Sequence, residues 1–253
     1  MNNPQWTPTE QEFDPRYAAL LQPWAFKHCP RFRDRTQAGR ALADKLSAMG
    51  LSSPLLVLAL PRGGVPVAAE VARTLGAPLD LLLVRKIGAP AQPELAVAAV
   101  VEGSPPDVIV NPDTTDQPGV NAAYIESMVP AALREIERRR AVYLNGRAHH
   151  PVEGATVIVV DDGVATGTTM MAALQALRRR RPARVIVAVP VAPYQTAVAL
   201  SDMADDVICL VEPRPFHAIG LHYLDFHQLS DREVCEALAE ANSAPSTTSP
   251  DPG

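Results

Sequence analysis

The sequence predicts an α/β fold, a mostly parallel sheet covered by helices on both faces. Three observations lead there. Short apolar runs alternate with segments of helical periodicity through the middle of the chain, the pattern of repeated strand–helix units. The runs are near-continuous in apolar residues, as strands buried on both faces must be. Two of them lead into glycine-bearing turns, "PRGG" after residue 60 and "DDGVATGTT" after residue 160.

Each element follows in order. Residues 1–30 carry Pro4, Pro8, Pro15, Pro23 and Pro30 with no sustained periodicity and are expected to be a flexible N-terminal segment. The folded domain is expected over 31–240, opening with a helical pattern at 36–49. "LLVLAL" at 55–60 reads as a strand, 64–75 as a helix, and "LDLLLV" at 79–84 and "AVAAVV" at 96–101 as further strands. A long helical pattern at 121–144, containing "EIERRR", lies in an insertion after the third strand; it is a candidate for a hood or a dimer surface, and the sequence leaves a homodimer open. "TVIVV" at 156–160 is a strand. In the helix predicted at 168–181, Met170, Met171, Leu174 and Leu177 share a face, Arg178 to Arg181 close the end, and Pro182 prevents continuation. "RVIVAV" at 184–189 and "DVICLV" at 206–211 are strands, 231–240 a helix, and "ANSAPSTTSPDPG" at 241–253 a disordered tail.

Composition excludes several functions. The 253 residues are 47% hydrophobic and 20% charged, enough for a core that needs no disulfide or metal. The net charge of −5 argues against a nucleic-acid partner, which needs a basic face. Arg178–Arg181 is read instead as cations at the negative end of a helix dipole. No apolar stretch approaches the roughly 20 residues of a membrane span. The N-terminus carries no signal pattern, and Cys29, Cys209 and Cys235 form no CxxC. The expected location is the cytoplasm, with free thiols and Cys209 as a small buried hydrophobe.

The richest stretch is "VIVVDDGVATGTTM", Val157 to Met170. Asp161 and Asp162 stand at the C-terminal end of a strand, where ligands bind in open α/β sheets. Gly163 and Gly167 permit a tight turn and close backbone approach. Ala165 adds no bulk, and Thr166, Thr168 and Thr169 add hydroxyl donors. Backbone N–H groups and hydroxyls at a helix N-terminus suit a phosphate. The two acids would repel a phosphate and suit neutral hydroxyls, so the pattern fits a vicinal diol beside a phosphate, as in a ribose 5-phosphate. A P-loop would need Gly-Lys-Ser/Thr, and a dinucleotide fold GxGxxG after the first strand; neither is present. A bare strand-to-helix turn without ligand is the structural alternative.

"VIVVDDGVATGTT" closely resembles the motif by which type I phosphoribosyltransferases bind PRPP (5-phosphoribosyl 1-pyrophosphate). The resemblance extends over 31–240 through "FRDRTQAGRALADKL", "LALPRGGVPVAAEVA", "LLVRKIGAPAQPELAVAAVVEG" and "FHAIGLHYLDFHQLSDREV", which are similar to a bacterial subgroup without an assigned acceptor. It implies a five-stranded parallel core with extra elements and a hood built from the N- and C-terminal segments. It implies that Asp161 and Asp162 hold the ribose hydroxyls and that Ala165, Thr166, Gly167, Thr168 and Thr169 wrap the 5-phosphate. Arg62, Gly63 and Gly64 fall where the family carries its pyrophosphate loop. Arg85 and Lys86, ending the second strand, precede a Gly/Pro-rich segment where the family carries a mobile loop, and Lys86 is the first choice to reach the leaving pyrophosphate. Mg²⁺ is expected to bind mainly through substrate oxygens, with Asp161 and Asp162 reaching it through water. Phe216, Tyr223 and Phe226 are either base-stacking residues or hood core. His217, His222 and His227 recur every five residues, which is not a helical metal spacing. The expected activity is transfer of the 5-phosphoribosyl group from PRPP to a nitrogenous acceptor, a nucleobase, with release of pyrophosphate; the rivals are a regulatory module that senses PRPP or a nucleotide without turnover and a hydrolase that uses water as acceptor.

Overall fold

The computed structural model describes residues 31–103 and 105–243. The expected flexible segment 1–30, with Cys29 and part of the N-terminal hood, and all but the first three residues of the expected tail lie outside the described residues.

Five strands form a fully parallel sheet: β1 (Leu55–Ala59), β2 (Leu79–Leu81), β6 (Thr156–Val160), β7 (Arg184–Val191) and β8 (Asp206–Val211). Their order across the sheet is β2-β1-β6-β7-β8. The central strands are apolar throughout because successive residues face two different cores. Val57, Ala59, Ile158, Val160, Ile186 and Ala188 face one core, which is shared with helices α1 (Arg35–Ser47), α2 (Gly64–Leu75), α3 (Ala122–Leu144) and α6 (Asp231–Ser243). Leu56, Leu58, Val157, Val159, Val185 and Val187 face the other, under α4 (Thr168–Arg179) and α5 (Tyr194–Ser201). Burying each Val, Leu or Ile contributes about 1.5–3 kcal/mol.

Local chemistry sets the helix ends. Asp34 caps α1 by accepting from the Gln37 N–H at 2.7 Å, and Asn121 caps α3 by accepting from the Tyr124 N–H at 2.8 Å. α2 stops at Gly76, whose left-handed φ of 61° a side chain would resist. The four arginines closing α4 are anchored: Arg178 pairs with Asp205, Arg179 with Asp107, Arg181 with Glu153, and Arg180 donates to the Glu102 carbonyl.

One predicted strand is split and another belongs elsewhere. The run 79–84 is broken: β2 ends at Leu81, and β3 (Val84–Ala89) opens a separate three-stranded antiparallel sheet with β4 (Gln92–Val101) and β5 (Asp107–Val110). The predicted strand 96–101 is the second half of β4, so it is not part of the parallel core. The break is imposed from outside the run. Leu82 N–H donates to the Ala59 carbonyl at 3.0 Å, and Leu83 N–H to the buried Glu102 carboxylate at 2.8 Å. Residues 121–144 form a body helix, α3, that packs on β3, β4 and α6. β5 and α5 were not predicted.

Cys209 and Cys235 are free and half-buried; burial pushes the Cys209 thiol up to about 11. Among the described residues no helix is long and apolar enough to cross a membrane.

Candidate phosphoribosyl site

Two glycine-bearing loops leave the same edge of the parallel sheet. β1 and β6 pair in register, Ala59 opposite Val160, and each runs at its C-terminal end into a turn and a helix. Leu60 N–H donates to the Val160 carbonyl at 2.9 Å, continuing the ladder into the loops. From there the chains touch. A Cβ on Gly63 would sit 2.0 Å from Asp162 Oδ2, and one on Gly64 would sit 2.6 Å from the Val160 carbonyl oxygen. The 61–64 turn therefore needs both glycines in order to lie against the acid pair. Its Pro61–Arg62 peptide is cis.

The second loop ends in Gly167, at φ 81°, which caps α4 without a side-chain hydrogen bond. The first N–H groups of α4 thus have no partner within the helix and point into the turn. Thr196 Oγ1 donates to the Ala165 carbonyl at 2.8 Å, and Val164 N–H to the Val191 carbonyl at 2.9 Å, so the loop is pinned from β7 and α5. Thr166 and Thr168 hydroxyls lie 3.3 Å apart, and Thr166 is exposed. Small residues, hydroxyls and helix-end N–H groups are thus gathered around one turn.

The adjacent acids have different surroundings. Asp161 is half-buried, and its Oδ1 accepts from the Asp162 N–H at 2.9 Å. Asp162 is buried, and its Oδ2 accepts from Arg35 Nε at 2.7 Å; both side chains are about nine-tenths buried, at 9% and 11% exposed. Arg35 also donates to the His227 carbonyl at 3.0 Å and lies 4.0 Å from the centre of the Phe226 ring. The Tyr223 hydroxyl donates to the Asp162 carbonyl at 2.6 Å, and burial, then the nearby Asp162 charge, push its pKa upward.

The hood is made where the segment before α1 meets residues 213–229. Phe32 N–H donates to the His222 carbonyl, and Leu224 N–H to the Phe32 carbonyl, both at 2.8 Å. Tyr223 stacks on Phe226 at 4.9 Å and tilts against Phe32 at 5.6 Å. Phe216, Tyr223 and Phe226 all belong to the hood's own apolar cluster with Ala38 and Val191. Tyr223, at 4% exposed, has no open face for a planar ligand. His217 is exposed and His222 buried, while His227 pairs with Asp225 at 2.8 Å and Glu233 at 2.9 Å. The hydrogen bond to Asp225, then that to Glu233, raises the His227 pKa. Among the described residues no three His, Cys, Asp or Glu side chains are grouped to hold a metal.

One placement corrects the sequence reading, and two add to it. Arg85 and Lys86 do not end the second strand; they are successive residues of β3 and so face opposite sides of the hairpin. Lys86 pairs with Ala99, whose side chain belongs to the core under α4, which puts Lys86 on the α4 side; Arg85 is exposed on the other. The Gly/Pro-rich segment after Lys86 is the tip of the β3–β4 hairpin, closing between Ala89 and Gln92, with the Tyr124 hydroxyl donating to the Gly88 carbonyl at 2.7 Å. Arg62 extends toward the start of α6. Its Nη1 is 3.8 Å from Asp231 Oδ1, which also accepts from the Tyr143 hydroxyl at 2.6 Å. Arg35, Thr196 and Asp231 were absent from the sequence reading, and no spacing rule connects Arg35 with an acid 127 residues away.

The phosphoribosyl transferase domain family matches residues 33–225, a span that includes both loops and most of the hood. The chain belongs to the phosphoribosyltransferase family. A Mycobacterium tuberculosis (strain H37Rv) protein named "Putative phosphoribosyl transferase" is 42% identical over 211 residues. The match takes in 83% of this chain and 47% of that protein, so the chain spans about half the length of its curated relative. The crystal structure of TT1426 from Thermus thermophilus is 43% identical, with a TM-score of 0.72 over 83% of this chain and 98% of that one. The five-stranded parallel sheet and its flanking helices are thus the fold of this phosphoribosyltransferase family.

Proposed function

We propose that this chain transfers the 5-phosphoribosyl group of PRPP to a small nitrogenous acceptor, a nucleobase being the first class to test, with release of pyrophosphate. The contact between the two glycine loops carries this reading. One loop offers N–H groups and hydroxyls for a 5-phosphate. The other touches it through Gly63 and Asp162 and offers the 61–64 turn with Arg62 for a pyrophosphate. A ligand carrying phosphate at one end and pyrophosphate at the other fits a cradle of two such loops meeting at an acid pair.

The roles follow from charge. Ala165, Thr166, Gly167, Thr168 and Thr169 surround the 5-phosphate at the α4 N-terminus. Asp161 accepts from a ribose hydroxyl. Gly63 and Gly64 bring backbone close to the pyrophosphate, and Arg62 exchanges Asp231 for it. Lys86, from the α4 side of the hairpin, meets the negative charge that grows on pyrophosphate as the glycosidic bond breaks. The donor set suits Mg²⁺ held mainly by substrate oxygens, with Asp161 and Asp162 the carboxylates that would reach it through water. Bound there, the ion supplies neutralising charge to the leaving pyrophosphate.

The test is pyrophosphate release from PRPP and Mg²⁺, with and without a panel of nucleobases. Acceptor-dependent release supports transfer, and release without acceptor marks a hydrolase. PRPP binding without any release marks a sensing module, which would sink the reading. A second check is Asp161→Asn. Charge-assisted hydrogen bonds are worth about 1.5–3 kcal/mol each, so PRPP affinity should fall by roughly 10- to 100-fold in calorimetry. An unchanged affinity would remove Asp161 from the site.

A further inference from the structure

A turn that binds an anion must aim its peptides. The C=O and N–H of one trans peptide point in opposite directions, so whatever holds the carbonyl also decides where the N–H goes. In the 161–167 turn that hold comes from another element. Thr196, in the first turn of α5, donates its hydroxyl to the Ala165 carbonyl at 2.8 Å. The 165–166 peptide is trans, since the cis bonds among the described residues are Ser53–Pro54, Pro61–Arg62 and Arg214–Pro215. The Thr166 N–H therefore points away from α5, toward the open side of the turn, where Thr166 is exposed. The same side chain also reaches the far end of the turn, where a Cβ on Gly167 would meet the Thr196 methyl at 3.0 Å. Thr196 itself stands on a firm base: Ala192 N–H donates to the Val211 carbonyl at 3.2 Å, and Ala197 N–H to the Pro193 carbonyl at 3.0 Å.

We propose that Thr196 is a positioning residue for the 5-phosphate: its hydroxyl turns the 165–166 peptide so that an N–H, and not a carbonyl oxygen, faces the anion. This rests on the PRPP reading above. A carbonyl oxygen carries negative partial charge and would repel a phosphate, whereas the N–H groups at the start of a helix attract one. The hydroxyl is the part that acts; the methyl fills the space over Gly167. A site is held to its working geometry by such supporting bonds as well as by the groups that touch the ligand. Thr196 acts on the loop assigned to the 5-phosphate and not on the 61–64 turn, so its influence divides the ligand. Ribose 5-phosphate should feel its loss, and pyrophosphate should not.

Calorimetric titration of ribose 5-phosphate and of pyrophosphate, each with Mg²⁺, into variants at this position reads the role. Thr196→Val replaces the hydroxyl by a methyl of similar size. It should weaken ribose 5-phosphate by about three- to tenfold, the worth of one hydrogen bond, and shift pyrophosphate by less than about twofold. Thr196→Ser keeps the hydroxyl and should stay within about twofold of wild type for both ligands. Should Thr196→Val fail to fold, Thr196→Ala takes its place, and its difference from Thr196→Ser isolates the hydroxyl. Ribose 5-phosphate affinity that does not fall when the hydroxyl is removed overturns the proposal. An equal loss in Thr196→Ser does so too, as does a parallel loss of pyrophosphate, which would mark a general structural role. A wild-type protein that binds neither PRPP nor ribose 5-phosphate overturns the functional reading and the proposal with it, and that outcome is seen before any variant is made.

Discussion

The two loops of the site both depend on glycine, for opposite reasons. In the 61–64 turn Gly63 itself has an ordinary φ of −59°, and the constraint on it is space: a Cβ would reach Asp162 Oδ2 at 2.0 Å. In the 161–167 turn the constraint is conformation. Gly167 has φ 81°, and a Cβ there would meet the Met171 methyl and a Thr196 methyl at 3.0 Å. The first obstacle is a buried carboxylate held by Arg35; in the second, the Met171 methyl is the tip of a flexible side chain. Identical letters in a sequence thus stand for a packing requirement in one loop and a backbone requirement in its neighbour. Both loops offer chiefly backbone and small side chains to a ligand; in the function proposed above, Arg62 and, from β3, Lys86 add the positive charge that meets the leaving pyrophosphate.

That division of labour is broken most directly by Lys86→Ala. Interactions made chiefly in the transition state lower turnover more than binding. With a working acceptor, pyrophosphate release should fall on the order of a hundredfold or more, while PRPP affinity stays within roughly tenfold of wild type. Affinity that collapses along with rate would mean that the loops do not carry ground-state binding.

The contrast between the glycines is sharpened by reversing the order of substitution. At position 63, Asn should cost more than Ala, because bulk is the obstacle; overpacking costs about 1–3 kcal/mol. At position 167 the order should invert, because Asn tolerates the left-handed region that costs other residues about 1–2 kcal/mol. Thermal denaturation of the four variants decides. The same order at both positions would show that one constraint governs both loops.

These differences explain which parts were legible. The apolar runs that became β1, β6, β7 and β8 were readable because the parallel sheet lies between two cores and must be apolar on both faces. The run 96–101 satisfied the same rule, since β4 is also buried on both sides, but an apolar run does not encode the direction of its neighbours. The break at Leu82–Leu83 carries no turn residue; its cause is Ala59 and Glu102, partners far along the chain. The 161–169 loop was legible because its chemistry is local: acids, glycines and hydroxyls within one turn. The use of Asp162 was not, because its partner Arg35 lies across the fold, and "FRDRTQAG" offers more than one arginine with nothing to single one out.

The smallest expected effect lies away from both loops, where Asp80 and Glu102 are buried on either side of His149. Burial pushes the Glu102 carboxyl above its ordinary range. Burial acts on Asp80 in the same sense, but hydrogen bonds from His149 and from the His150 and Leu81 N–H groups outweigh it and hold that carboxyl below its range. A raised folded pKa contributes stability that is present below the unfolded value, near 4.5 for Glu102, and lost as pH rises through the folded value. A lowered one contributes stability present above the unfolded value, near 3.8 for Asp80, and lost as pH falls through the folded value. Glu102→Gln should therefore abolish a modest fall in melting temperature just above pH 4.5, and Asp80→Asn part of the fall below pH 3.8. Because both acids lie outside the loops, neither pH dependence should appear in PRPP affinity at neutral pH; an affinity that changes in either variant would extend the site beyond the two loops.

The central claim is that the two loops are halves of one PRPP site, and calorimetric titration with PRPP, ribose 5-phosphate and pyrophosphate, each with Mg²⁺, tests it most directly. Joining two fragments that occupy adjacent subsites raises affinity by about a hundredfold or more, so PRPP should bind that much tighter than either half. Gly167→Val should weaken ribose 5-phosphate and PRPP while leaving pyrophosphate largely unaffected. PRPP that binds no tighter than ribose 5-phosphate would contradict the account, because the 61–64 turn would then contribute nothing to the ligand it is assigned.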